Sequence, residues 1–114
     1  MRDAPTAPAR TDPWRRTSGM HQLRRPRQLS VVRELWSTRE ELARRRDVAP
    51  GRILPDRAIV SAATELPTTT AQLTALPVFS GPANRRLADR WLAAVRRGVA
   101  TPDRELPPMA LPGE

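Results

Sequence analysis

One short stretch of the sequence combines residue types that could hold a phosphate group. It offers three small polar or flexible residues and three arginines, namely Ser80, Gly81, Asn84, Arg85, Arg86 and Arg90. A helix start in this stretch would present free amides and the positive end of the helix dipole to an anion. Guanidinium groups pair with phosphate oxygens through two parallel hydrogen bonds. We predict a nucleic-acid-binding surface here; the alternative is a solvated face, as charge runs often are.

A second basic group precedes the first predicted helix. Its arginines are Arg10, Arg15, Arg16, Arg24, Arg25 and Arg27. Arms of this composition can hold backbone phosphates, and Trp14 among them could stack on a base. We favour packing of Trp14 against the folded body. For Arg24, Arg25 and Arg27, the three nearest the helix, we predict phosphate contacts, with a solubilising linker as the alternative.

The residues needed for catalysis or metal binding are missing from the sequence. There is no cysteine and His21 is the only histidine, so neither a metal cluster of these ligands nor a catalytic triad can be assembled. Asp47 and Asp56 flank one loop as a helix end and a helix cap, and Asp89 is the only acid in the last helix. Two metal ions would need more acids in one cleft. We therefore expect no enzymatic activity, no cofactor and no metal site.

Helices must position these side chains, because apolar residues recur at spacings of three and four and no stretch alternates long enough to form a strand. The spacing predicts helices over about 27–46, 57–66, 69–76 and 85–97. Trp36 and Trp91 lie on apolar faces, which indicates core positions. Thr69 and Gln72 form a capping box, and Gly98 is expected just past the last helix. The chain should be all-α, a small compact bundle of four to five helices.

The segment between the first two helices carries apolar residues that a plain linker would not need. Two prolines forbid continuation of the helix, and Gly51 allows a tight turn. Ile53 and Leu54 should hold this crossing against the core, with Asp56 as N-cap of the next helix. Arg39 falls on the buried face of the first helix, so its stem should pack there while its guanidinium pairs with an acid or with loop carbonyls.

Composition and charge divide the chain into a folded body and two tails. All twenty basic residues are arginine and the net charge is +8, which favours an anionic partner, although a GC-rich genome can also produce an arginine-only composition. We predict a flexible basic lead-in at 1–21, a helical domain at 22–100 and a flexible proline-rich tail at 101–114. No apolar run is long enough for a membrane span, and the N-terminus lacks a signal-peptide core. We expect a soluble, monomeric, cytoplasmic protein.

Several short runs of sequence, in matching order and spacing, resemble the HRDC domain, the helicase-and-RNase-D C-terminal module. The runs are WRRTSG, LWSTREELARRRD, RILPD followed by AIVSAA, and RWLAAV, and the match covers roughly residues 14–100. The most similar version is the one that follows the exonuclease domain in ribonuclease D. One turn departs from the helicase version, because FSGPANRR replaces a glycine-valine-glycine turn followed by lysine, so that way of gripping phosphate is not implied here.

The resemblance implies a bundle, usually of five helices, that serves as an auxiliary nucleic-acid-binding part. The parent enzyme trims RNA from the 3′ end with two metal ions held by four acidic residues, in a catalytic domain N-terminal to the module. This chain is similar to a detached accessory domain. The hypothesis is binding of RNA or single-stranded DNA through the phosphate backbone, in support of a 3′–5′ exoribonuclease. The alternative is a module that docks a protein such as the exonuclease catalytic domain, without nucleic-acid contact; the low net charge of residues 29–66 would suit such a face.

Overall fold

The longest helix, α1, Pro26–Arg46, contacts most of the other elements and determines how they are arranged. The computed structural model describes residues 13–109, and within this range the chain forms six α-helices and no strand. The helices after α1 are α2, Pro50–Ile53; α3, Asp56–Glu65; α4, Thr70–Thr74; α5, Pro82–Arg86; and α6, Ala88–Ala100. Turns of 3-10 helix lie at Pro13–Arg16, Met20–Gln22 and Asp103–Glu105. The prediction of a small all-α bundle is confirmed.

Local sequence explains both ends of α1. Pro26 occupies the first helical position, where a missing N–H costs nothing. The side-chain oxygen of Gln28 accepts hydrogen bonds from the backbone N–H groups of Arg24 and Arg25, at 2.8 and 3.1 Å. At the other end the chain turns at Asp47, whose backbone is left-handed with φ 54°. Three arginines in the last turn meet the negative end of the helix dipole. The first predicted helix is therefore confirmed.

The core lies between α1, α3 and α6. Its largest fully buried side chains are Trp91, Phe79, Leu35, Leu54, Ile59 and Leu73. Each such side chain contributes about 1.5–3 kcal/mol through its removal from water. The predicted core position of Trp91 is confirmed, whereas Trp36 is half-buried and packs against the edge of the core.

A close contact at Gly98 joins α6 to α1. A Cβ added to Gly98 would lie 2.5 Å from the Cα of Val31, which is closer than two non-bonded carbon atoms can approach. The prediction that Gly98 follows the end of its helix is wrong, because α6 continues to Ala100. The glycine is required inside the helix, where closer packing of the two helices offsets its poor helix propensity.

The segment between α1 and α3 is held against the core as predicted, but its backbone differs from the prediction. Ile53 is 9% exposed and Leu54 is fully buried. The prolines and apolar residues form the single turn α2, and Gly51 is a helical residue with no atom within 4 Å of a Cβ position. The tight turn lies at Asp47 instead, because aspartate tolerates the left-handed conformation better than most residues.

Asp56 joins three parts of the fold through its carboxylate. It does not cap α3 as predicted, because Pro55 occupies the cap position and Asp56 is the first helical residue. Its oxygens accept hydrogen bonds from Nη1 of Arg39 at 2.7 Å and from the backbone N–H of Ser18 at 3.0 Å. Arg39 also donates to the carbonyl oxygen of Leu54 at 3.0 Å and is 6% exposed, which confirms its predicted role.

These contacts change the acidity of Asp56. Burial on its own raises the pKa of the carboxyl group, but the hydrogen bonds from Arg39 and Ser18 and the charge of Arg39 outweigh burial. The net result is a pKa below the usual value of 3.8. The carboxylate is therefore ionised at neutral pH, which is the state that Arg39 requires.

Residues on both sides of the predicted domain pack against its helices. Trp14 is 5% exposed, which confirms that it packs on the body. After α6, Thr101 is 9% exposed, and its hydroxyl oxygen lies 2.8 Å from that of Ser30 in α1. The folded body therefore extends past the predicted bounds at 22 and 100. The rest of the predicted tails, 1–12 and 110–114, lies outside the described residues.

Candidate nucleic-acid interface

The predicted helix over 85–97 consists of two helices, α5 and α6, that meet at Leu87 with φ −98° and ψ 7°. Asn84 holds this corner. Its side-chain oxygen accepts a hydrogen bond from Nε1 of Trp91 at 3.2 Å, and its nitrogen donates to the carbonyl of Val78 at 3.4 Å. Although the sequence predicts that Asn84 contacts phosphate, both ends of its amide are used inside the protein, where they orient α5.

The turn before α5 also uses its backbone amides internally. The N–H of Ser80 donates to the carbonyl of Leu76 at 3.2 Å, and that of Gly81 donates to the carbonyl of Val78 at 3.1 Å. Val78 has a left-handed backbone, φ 75°, which is rare for a β-branched residue. Pro82, the first residue of α5, has no N–H to offer. The backbone amides of Ser80 and Gly81 are therefore not available to an anion, whereas the exposed arginine side chains of this corner are.

Three exposed arginines, Arg85, Arg86 and Arg90, carry the charge of this corner, and we call them the corner cluster. Within residues 13–109, none of their side chains forms an ion pair or a hydrogen bond. Asp89, their neighbour in sequence, is exposed and forms no ion pair in the same range. Because no carboxylate of residues 13–109 lies within ion-pair distance of them, the three guanidinium groups present their charge to solvent.

Two exposed arginines outside the corner cluster, Arg45 and Arg97, pair with nearby acids. Arg45 lies 3.0 Å from a carboxylate oxygen of Glu41, one helical turn before it. Nε of Arg97 lies 3.0 Å from Glu34, which joins α6 to α1. Arg45 and Arg97 therefore differ from the corner cluster, whose arginines have no acidic partner among the described residues.

A cavity of about 330 Å³ beside the corner cluster adds an arginine that the sequence does not assign to the site. The residues that line it are Arg46, Ala83, Arg86 and Leu87. Arg46 ends α1, is exposed, and has no side-chain partner among residues 13–109. The spacing contained a signal, because Arg45 has Glu41 four residues before it whereas Arg46 has Leu42 there. Arg46 therefore lacks the helical ion pair that neutralises its neighbour.

The three arginines predicted before α1 have two different environments. Arg24 and Arg25 are exposed, and neither forms an ion pair within the described part of the chain. Arg27 donates to the backbone carbonyl of Thr101 at 2.9 Å and forms an ion pair with Asp103. Arg27 therefore fastens the segment after α6 to α1, and we leave it out of the interface.

The remaining arginines of the lead-in add little to the site. The guanidinium carbon of Arg15 lies 4.5 Å from the ring centre of Trp14, a cation–π contact that belongs to the packing of the tryptophan. Arg16 is exposed. Arg10 lies outside the described residues.

The side chains of this surface can attract and bind an anion. Over the range 13–109, no three histidine, cysteine, aspartate or glutamate side chains are grouped so as to hold a metal ion. In the same range, no helix has the length and apolar character that crossing a membrane requires. What the corner offers is a set of guanidinium groups that can bind an anion with several charges.

The fold is a small helical bundle, and comparison with known families identifies it. The HRDC domain family matches residues 28–95, more than half of the chain. The chain therefore belongs to the HRDC domain family, as its sequence motifs predicted. Domains of this family are accessory modules associated with nucleic acids, not catalytic ones.

Within that family the chain is similar to the module of ribonuclease D. It is 33% identical over 91 residues to the ribonuclease D of Nitrobacter hamburgensis, a match that covers 79% of this chain and 24% of that protein. A solved structure, the crystal structure of a protein from Bifidobacterium adolescentis, matches with a TM-score of 0.75 at 27% identity. That match covers 83% of this chain and 28% of the other. The chain thus spans about a quarter of the length of either protein.

Proposed function

We propose that this domain holds RNA or single-stranded DNA through the phosphate backbone, and that it supports 3′–5′ exoribonuclease processing in the cytoplasm by an enzyme of the ribonuclease D type. The observation that carries the proposal is the exposure of Arg85, Arg86 and Arg90 without acidic partners in the described part of the chain. The domain's part is to hold the strand, and the chemistry belongs to a catalytic domain beyond these residues.

Binding through unpaired arginines is favourable because no internal ion pair has to break first. Each guanidinium that neutralises a phosphate releases condensed counterions, so affinity should fall steeply as salt rises. The corner is also rigid, because the amide of Asn84 links the indole of Trp91 to the turn before α5. Rigid contacts to phosphates position a strand without reading its sequence. The proposal therefore predicts binding that depends on salt and tolerates changes of base.

The test measures binding of a short single-stranded RNA by fluorescence anisotropy over a salt series. Replacing Arg85, Arg86 and Arg90 together by alanine should weaken binding at least tenfold and lower the salt slope by about two to three, one for each lost phosphate contact. The matched control replaces Arg45, Arg97 and Arg104, which lie beside carboxylates. It removes the same charge from paired positions, and binding should fall much less.

Two outcomes would contradict the proposal. One is no RNA binding by the unaltered chain at low salt, and the other is an equal loss in the two triple variants, which would leave only unspecific attraction by net charge.

A second candidate function, docking of a protein such as the exonuclease catalytic domain, is favoured by one exposed hydrophobic residue, Val48, which is 39% exposed. It lines a cavity of about 400 Å³ at the end of α1, where apolar Ala43, Ala49 and Pro50 lie beside charged Glu40, Arg44 and Asp47. Co-purification with the catalytic domain, combined with absent RNA binding, would favour this function. A Val48→Asp variant should then lose the partner and keep its fold.

A further inference from the structure

The cavity between α1 and α5 brings together two positive charges that are distant in sequence. Arg46 comes from the last turn of α1 and Arg86 from the last turn of α5, and both line the same space of about 330 Å³. The two other lining residues, Ala83 and Leu87, are apolar, so no carboxylate lies among them. Two like charges beside one small cavity repel each other unless an anion lies between them.

The dimensions and surroundings of the cavity suit a phosphate group. Its volume corresponds to roughly ten water molecules at a liquid share of about 30 Å³ each, which leaves room for a phosphate with part of its sugar. Arg46, Ala83 and Arg86 are exposed, so the cavity is open to solvent and a phosphate can enter it. Two guanidinium forks can then bond different oxygens of one phosphate.

The C-terminal end of α1 does not repel an anion in this cavity as an uncapped helix end would. The carbonyl of Ala43 accepts a hydrogen bond from the N–H of Val48 at 3.1 Å, and that of Arg44 accepts one from Asp47 at 3.4 Å. The arginines of the last turn add positive charge at the same end. The negative end of the helix dipole is therefore both capped and compensated.

We infer that Arg46 and Arg86 clamp one backbone phosphate of the bound strand in this cavity, while Arg85 and Arg90 contact phosphates next to it. The inference rests on the proposed nucleic-acid binding and adds to it a defined position and a residue from α1. A ligand with charges at regular intervals fits better than a single anion, because unpaired guanidinium groups continue beyond the cavity.

The first test compares two neighbouring arginines that carry the same charge. Arg46→Ala should weaken binding of a single-stranded RNA about tenfold and reduce the salt slope by about one. Arg44→Ala is the control, because Arg44 is exposed in the same helical turn but lines a different cavity. It should weaken binding no more than about twofold. Combining Arg46→Ala with Arg86→Ala should cost less than the product of the single losses, because both residues hold the same phosphate.

The second test closes the cavity without changing any charge. Ala83→Leu adds a larger side chain at an exposed lining position of α5, so the fold should tolerate it. Binding should again fall about tenfold, whereas a general attraction to net charge predicts no change. Poly-glutamate serves as a second ligand, and it should not distinguish Arg46→Ala from Arg44→Ala because its carboxylates are flat and spaced differently from phosphates.

The possible outcomes separate the clamp from the proposed function. If the unaltered chain binds RNA but Arg46→Ala equals Arg44→Ala, the clamp is wrong and nucleic-acid binding by the corner cluster stands. If poly-glutamate shows the same pattern as RNA, the cavity is a general anion site and not a phosphate clamp. If the unaltered chain binds no nucleic acid, the proposed function and the clamp are both wrong.

Discussion

Arg39 and Arg86 are the same residue type in the same basic chain, yet the structure uses them in opposite ways. Arg39 is 6% exposed and is bonded to the carboxylate of Asp56 and the carbonyl of Leu54. Arg86 is exposed beside a cavity and has no side-chain partner among residues 13–109. The comparison shows that a net charge of +8 does not reveal which arginines are free to bind. That depends on whether a carboxylate lies within reach.

The two regions should respond to substitution in opposite ways. Changes in the interior, where α1, α3 and α6 meet, should lower the free energy of unfolding and leave binding by the folded protein intact. Changes in the corner cluster should weaken binding and leave the free energy of unfolding within about 0.5 kcal/mol. An interior variant that folds but loses binding, or a corner-cluster variant that loses stability, would contradict this division. Variants that follow it would show which residues belong to each region.

The largest effect on stability is expected from Arg39→Ala. It leaves the Leu54 carbonyl and the partly buried Asp56 carboxylate without their partner, and should lower the free energy of unfolding by about 2–3 kcal/mol. This is less than for a fully buried pair, because the Asp56 side chain is 34% exposed. Urea unfolding followed by tryptophan fluorescence measures the change. Arg45→Ala, which breaks an exposed pair, should cost below about 1 kcal/mol, and equal losses would contradict the role given to Arg39.

The next effect concerns the contact between α1 and α6. Gly98→Ala places a methyl group against the backbone of Val31, which cannot move aside as a side chain can, and should cost about 1–3 kcal/mol. Gly51→Ala is the control, since its Cβ would meet no atom within 4 Å in a helical segment. It should raise the free energy of unfolding by about 0.5–1 kcal/mol. Thermal unfolding of the two variants should therefore shift in opposite directions, and a shift in the same direction would contradict the close packing at Gly98.

The smallest effect is a dependence on acid. Because the folded state lowers the pKa of Asp56 below 3.8, its ionised carboxylate stabilises the fold at pH values above 3.8. This contribution should be lost as the pH falls below 3.8 and through the lowered pKa of the folded state. Comparing urea unfolding at pH 6 and pH 3 for the unaltered chain and for Asp56→Asn measures it. The variant should lose less stability between the two pH values, and an equal loss would show that other acids dominate.

Sequence alone predicted the features that depend on nearby residues. The periodicity of α1, the burial of Ile53 and Leu54, and the buried position of Arg39 all follow from local patterns of sequence. Trp91 was placed in the core for the same reason, because it lies on the apolar face of its own helix. These local signals were sufficient to predict an all-α bundle.

The features that the sequence did not predict depend on residues far apart along the chain. Gly98 resembles a helix end until α1 is placed against it, and Arg27 resembles a free surface charge until Asp103 is brought beside it. The cavity shared by Arg46 and Arg86 exists only because α1 ends next to α5. No short-range pattern encodes such contacts, so the sequence could not bring Arg46 into the candidate site.

The left-handed valine before α5 has a consequence for how this domain can change over time. Val78 adopts a conformation, φ 75°, that costs a β-branched residue on the order of 1–3 kcal/mol, so the surrounding packing must keep it there. Its carbonyl receives the hydrogen bonds of Gly81 and Asn84 that set the direction of α5. Substitutions at or around Val78 can therefore change the direction of α5, and with it the proposed binding of a strand, while every arginine is retained.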